Sequence, residues 1–181
     1  MTVEAEVRRH QLEGEQVRGE RVALEEARGL GVVGDAGLGK SRLAFEFVAH
    51  CRAEGVAVYE ARVPSHGATL PLFAVAELLR SYFGIAASDA PDASREKVAG
   101  RLLALSPAFR SSLPAVFDAL GIADAAQRAA SGSERERGDK LRRFLRHWVQ
   151  AASAQAPMVL LLDDLHWVDA QSHTLLADLV E

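Results

Sequence analysis

The chain has one cysteine, Cys51, in 181 residues. No intrachain disulfide can form, and a reducing compartment is the simplest setting. Long apolar runs are missing too. Stretches such as Met158 to Leu162 fall far short of the roughly 20 residues that cross a bilayer as a helix. The N-terminus, Met1 to Arg9, is charged and has no apolar core of an export signal. Neither a membrane nor export is expected, and a cytoplasmic location follows. An excess of charge of one sign is also lacking: Lys and Arg number 21, Asp and Glu 25, for a formal net charge of −4. General attraction to nucleic acid or an anionic membrane surface is therefore not expected. Lysine is scarce, with only Lys40, Lys97 and Lys140. The six histidines show no metal-ligand spacing, and no repeat of solenoid period is visible. What remains is the composition of an ordinary globular chain, 49% hydrophobic and 25% charged, long enough for one domain with a core.

Residues 1–29 interleave Glu and Arg, with Val22, Leu24 and Ala27 as a weak apolar stripe, and read as a charged arm or frayed helix. Leu30 to Val33 reads as a strand. Ser41 to Glu54 reads as a helix, because Leu43, Ala44, Phe47, Val48 and Cys51 recur at helical spacing and Gly55 is placed to end it. Cys51 on that apolar face belongs to the core. Val56 to Val63 is apolar at most positions, as a strand buried on both faces should be. Strand, helix, strand predicts a right-handed crossover and a parallel sheet. A long helical stretch follows. One helix opens at Pro71 and closes at Gly84. A second runs from about Ser94 to Leu105, and a third starts near Pro107 or Pro114 and stops at Gly121. Ala129 to Gly138 reads as a surface loop, with Asp139 as cap of the next helix. In that helix Leu141, Phe144, Leu145, Trp148, Val149 and Ala152 form an apolar stripe. Its Arg142, Arg143, Arg146 and His147 form a solvated face. Met158 to Leu162 is a strand introduced by Pro157, and a last helix begins near Asp169, its expected N-cap. The expected fold class is α/β: a three-layer core with a parallel sheet, and a helical insertion over about 71–155 within a domain of 30–181.

Two segments carry chemistry. Gly34-Asp35-Ala36-Gly37-Leu38-Gly39-Lys40-Ser41 matches G-x-x-x-x-G-K-[ST] and sits between a strand and a helix, where its mechanics require it. A glycine-rich turn lets backbone N–H groups converge on a polyanionic phosphate chain, and the helix N-terminus adds partial positive charge. Lys40 brings a full charge to the terminal phosphates, and the Ser41 hydroxyl is offered to Mg²⁺. Arg42 is counted with the loop. This Walker A pattern implies the phosphates of ATP or a close relative. The second segment, Val159-Leu160-Leu161-Leu162-Asp163-Asp164, is an apolar strand ending in two carboxylates, the Walker B pattern. Asp163 is the expected partner of the Mg²⁺ water shell, and Asp164 the group that orients or deprotonates an attacking water. Arg62 and His66 follow the second strand, at the sheet edge where ligands bind in α/β folds.

GDAGLGKSRL and VLLLDDLHWVDAQSHTLLADLVE together resemble the P-loop ATPases of the AAA and STAND type. Asp164-Leu165-His166-Trp167 is the most specific element, and ARVPSHGATLPLFAVAELLR (61–80) fits the family's second strand and following helix. Trp167 is read as packing. The resemblance covers about residues 30–181. It implies an additional-strand P-loop fold, ATP as ligand, Mg²⁺ as cofactor and a signalling switch that takes ATP and ADP. Such domains stand beside LuxR-type DNA-binding domains or class III nucleotide cyclase domains, so an output domain is the implied partner. The sequence departs from the family in its approach to the loop, where only Val17-Arg18-Gly19-Glu20 stands in for the usual Val-Gly-Arg-Glu turn. The sensor strand that separates the Walker A and Walker B strands in that fold is not found before Glu181, so the chain reads as a C-terminally incomplete domain. Two alternatives stand beside slow hydrolysis: a non-hydrolysing nucleotide-sensing switch, and an inactive fragment. The fold implied by the resemblance also predicts that 158–162 pairs with 56–63 and not with 30–33.

Overall fold

The structure is a computed structural model that describes residues 18–23, 28–35, 37–130 and 132–179. Strand β1 (Arg18–Ala23) pairs antiparallel with β2 (Arg28–Val33) from Arg18↔Val33 to Ala23↔Arg28. Helix α1 (Lys40–Ala53) follows the glycine loop and leads to β3 (Ala57–Arg62). A 3₁₀ turn (Gly67–Thr69) then opens a run of helices: α2 (Phe73–Phe83), α3 (Pro91–Leu105), a 3₁₀ segment (Pro107–Ser112), α4 (Leu113–Ala119), α5 (Ala125–Ala130) and α6 (Glu134–Gln155). Strand β4 (Met158–Asp163), a 3₁₀ turn (Leu165–Trp167) and α7 (Ala170–Ala177) complete the order. The class is mixed α/β with a small parallel sheet, and the helices of the insertion lie between β3 and β4.

The parallel pair is β3 with β4, in register from Ala57↔Met158 to Arg62↔Asp163. That is the pairing expected of the two strands that end at the candidate site. Among the described residues β2 is bonded only to β1. The strand before the loop is thus not a neighbour of β4, as the resemblance implied. It is not a neighbour of β3 either, so the simple crossover read from strand, helix, strand is not a direct pairing. The expectation that Val56 to Val63 is buried on both faces holds only in part. Ala61 and Val63 are buried, but Glu60 and Arg62 are exposed, and every residue of β4 is half-buried. A two-stranded sheet has two edges and little area for helices to cover.

The central core is helical. Val75, Leu79, Tyr82 and Phe83 of α2 meet Val98 and Leu102 of α3, Val116 and Phe117 of α4, and Leu141, Phe144, Leu145, Trp148 and Ala152 of α6. The stripe expected on α6 is this contact face. Tyr82 sets its ring edge-on to Trp148 at 4.7 Å, and Phe144 stacks with Trp148 at 6.2 Å. Tyr59, Met158 and Leu160 pack against the same cluster from the sheet. The parallel strands are therefore fastened to the insertion that separates them in sequence.

Two local expectations are corrected and one open start is fixed. Residues 18–23 are a strand and not part of a frayed helix. Gly19 weakens a helix, and the β2 ladder offers the backbone a partner; residues 1–17 and 24–27 lie outside the described ones. Ala129 to Gly138 is not one loop. Helix α5 reaches Ala130, and α6 already starts at Glu134. The signal is Ser133, three residues before Glu136. The Ser133 hydroxyl accepts from the Glu136 amide, and the Glu136 carboxylate accepts from the Ser133 amide, a complete capping box. Asp139 consequently lies inside α6 and caps nothing. The third helix starts at Leu113, with Pro114 inside its first turn as the second of the two expected starts, after a 3₁₀ segment from Pro107 to Ser112.

Candidate nucleotide-binding site

The glycine loop is shaped by its glycines. Gly37 (φ 86°) and Gly39 (φ 82°) occupy the left-handed region, where a Cβ is strained. Gly39 also stands at the N-cap of α1 and makes no side-chain cap bond, and the first turn carries no acid. The amides there are left for an anion, with the helix dipole behind them. The Lys40 Nζ donates to the carbonyls of Gly34 and Asp35, at 2.7 Å each. The side chain folds back over the turn, so its ammonium sits at the mouth of the loop and, among the described residues, has one donor to spare. Asp35, Gly37, Leu38, Gly39 and Ser41 are exposed, and Gly34 is half-buried. A Cβ on Gly34 would come within 3.2 Å of the Leu38 side chain. Arg42 forms an ion pair with Glu46, one turn on, at 2.9 Å. Ala36 lies outside the described residues.

The carboxylates stand at the C-terminal end of β4. The Asp163 Oδ1 accepts from the Asp164 amide at 3.0 Å, and Oδ2 accepts from the Arg62 guanidinium at 3.3 Å. Asp164 has φ 61° and is exposed. Asp is among the few non-glycine residues enriched in that region, and strain of this kind gathers at functional sites. Its carbonyl accepts from Trp167 N at 2.9 Å, which closes the turn that presents its carboxylate. His166 lies against Trp167, ring centroids 4.9 Å apart, and both are exposed, so packing in the core is not the role of Trp167.

The loops after β3 and β4 abut. A Cβ on Gly67 would stand 2.5 Å from the Val63 side chain and 3.6 Å from the Trp167 carbonyl, so glycine is required by close approach. His66 sets its ring against Phe73 at 6.3 Å. Behind this contact lies a device that sequence reasoning missed. Asp169 caps α7, as expected, by accepting from Ser172 N at 2.9 Å. The same oxygen accepts from Leu72 N, the N-cap of α2, at 2.9 Å, and Ser172 Oγ accepts from Val75 N at 3.3 Å. Asp169, the N-cap of α7, and Ser172 in its first turn thus cap α2, ninety-seven positions earlier in the chain. Burial pushes the Asp169 carboxyl up, but the Ser172 hydroxyl and the amides of Ser172, Leu72 and Ala74 outweigh it and hold the group below its ordinary value. No periodicity or spacing announces a partner that far away. The only local hint is Asp169-x-x-Ser172 itself.

The donor set fits Mg²⁺. Ser41 and Asp163 offer hard oxygens, and among the described residues no group of three or more His, Cys, Asp or Glu could cage a metal. A cation held by one carboxylate and one hydroxyl is completed by water and phosphate oxygens, which is the habit of Mg²⁺. With a triphosphate bound, the ion would neutralise charge on the terminal phosphates. The chain's own part would then be positional: loop amides and Lys40 would hold the phosphates, and Asp164, on its exposed turn, would stand toward the water. Among the described residues no helix is long and apolar enough to cross a membrane.

No curated protein and no solved structure matches this chain. The family model of the AAA ATPase domain matches residues 8–181. The match takes in the glycine loop, the insertion and the strand with its two aspartates, and the chain belongs to the AAA ATPase domain family.

Proposed function

We propose that this domain binds ATP at 34–41 with Mg²⁺ and hydrolyses it slowly, as the nucleotide switch of a STAND-like regulatory protein. The observation that carries the reading is the loop itself. Gly37 and Gly39 are in the left-handed region, Lys40 Nζ is folded onto two loop carbonyls, and an acid-free helix start opens behind it. Ser41 and Asp163 serve the metal, Asp164 serves the water, and Arg42 borders the site. The Asp164-Leu165-His166-Trp167 turn supports the STAND type, and with it a cytoplasmic regulator whose output domain binds DNA or makes cyclic nucleotides. The domain itself contacts neither nucleic acid nor membrane in this reading.

The test is a titration of thermal unfolding with Mg²⁺-ATP, run beside turnover. A charge-assisted hydrogen bond contributes about 1.5–3 kcal/mol, so Lys40→Ala should weaken ATP roughly tenfold to a hundredfold. If wild type and Lys40→Ala respond alike to ATP, the loop is not the phosphate site. Binding without any Asp164-dependent turnover would instead support a non-hydrolysing switch.

A further inference from the structure

Arg62 and Asp163 are register partners at the carboxyl ends of β3 and β4. That edge is where ligands bind in open parallel sheets. The Arg62 Nη2 donates to Asp163 Oδ2 at 3.3 Å, while Oδ1 takes the Asp164 amide. Each oxygen of the carboxylate therefore already has a donor. The two partners differ in their access to water. The Asp163 side chain is 27% exposed, the Arg62 side chain 76%. The carboxylate is fixed by its strand and by the following turn, and the guanidinium reaches it from the solvent side on a flexible stem.

We propose that Arg62 is a gate on the metal site, its guanidinium holding Asp163 Oδ2 until a divalent cation displaces it. The inference rests on the reading of Asp163 as the metal-side carboxylate. A guanidinium and a divalent cation compete for one oxygen, and once the cation arrives the two like charges repel. The exposed pair is weak, so the gate costs the metal a small factor in affinity and opens without disturbing the core. Salt that screens the pair loosens it.

The experiment uses the whole chain saturated with ADP and Mn²⁺ as the probe, with free Mn²⁺ followed by its paramagnetic resonance signal. Arg62→Gln should bind Mn²⁺ about twofold to fivefold more tightly than the wild type at low salt. Arg62→Lys, which keeps the charge, should fall between them, and the gain should shrink at about 0.5 M KCl, where screening is strong. Arg62 is exposed, so none of these changes should alter the unfolding temperature of the nucleotide-free chain. Unchanged or weaker Mn²⁺ binding by Arg62→Gln overturns the gate. Asp163→Asn separates the two ideas, since it should lose Mn²⁺. If it holds Mn²⁺ as the wild type does, or if the wild type holds none, Asp163 is not a metal ligand and the gate falls with that reading. If Asp163→Asn loses the ion while Arg62→Gln matches the wild type, the gate alone is wrong.

Discussion

Asp163 and Asp164 are neighbours in sequence but sit in different surroundings. Asp163 ends a ladder, is half-buried, and has both oxygens engaged. Asp164 is exposed, in a left-handed conformation, with its carboxylate presented by a tight turn. Their replacements should separate accordingly. Asp163→Asn removes the charge that would hold the metal shell, so the Mg²⁺ dependence of ATP binding should weaken. Asp164→Asn keeps the shape and should leave binding nearly intact while slowing turnover, because water activation matters only in the reaction. Parallel measurement of ATP affinity with and without Mg²⁺, and of turnover, checks this. Equal losses of binding in both variants would refute the division of roles.

At the scale of elements, the contact between α2 and α7 is the feature with the clearest energetic consequence. The Asp169 oxygen and the Ser172 hydroxyl satisfy amides at the starts of both helices. Asp169→Ala would orphan Leu72 N and Ser172 N in a buried place, a cost of about 2–4 kcal/mol if each lost partner costs 1–2. Acid should do part of the same. The Asp169 carboxyl is held below its ordinary value in the fold, so its contribution to stability is complete above the unfolded value of about 3.9. It is lost as pH falls through the lower folded value. Asp169→Asn should be less stable than the wild type at pH 7, and the gap should begin to close only below the unfolded value of about 3.9, as pH falls toward the lower folded value. Denaturant unfolding at a series of pH values reads this, and a gap that stays constant across the series would mean the charge is irrelevant. Sequence legibility divides along the same line. The cap of α7, the stripe of α6, the glycine loop and the two strands at the site were visible because their signals are local: a cap residue, a 3.6-residue period, a fixed motif. The Ser133–Glu136 capping box was equally local, and was hidden only because the polar run around it looks like a loop. The α2–α7 latch, the Arg62–Asp163 pair and the approach of Gly67 to the Trp167 carbonyl depend on which strands and loops meet, and no window of sequence contains both partners.

Seen whole, the chain has its strength in one place and its candidate site in another. The central apolar cluster draws on residues from Val75 to Leu175 and, among the described residues, takes none from 31–53. In helix α1 only Val48 and Cys51 are buried among the described residues, and Arg52 pairs with Glu60 of β3 at 2.5 Å. Around the loop, by contrast, Val33 is 70% and Phe45 73% exposed, and Val32, Leu38 and Leu43 are exposed as well. Among the described residues the β1–β2 pair is a two-stranded sheet of its own, and such pairs are marginal in water. Residues 28–53 should therefore open at lower free energy than the helical core, as a separate cooperative unit. Heating should then give two transitions, the first belonging to the loop segment and the second to the core. A ligand stabilises only the state that binds it, by about 2.7 kcal/mol at 100 times its dissociation constant. Mg²⁺-ATP should accordingly raise the first transition and leave the second where it was, because the loop is already open when the core melts. Hydrogen exchange gives the same contrast by residue. Amides of α1 should exchange faster than those of α6 around Trp148 without nucleotide, and slow by up to about a hundredfold with it. A single sharp transition that ATP moves as a whole would show that the loop segment and the core fold as one unit, and that the exposed apolar residues around the loop do not weaken it.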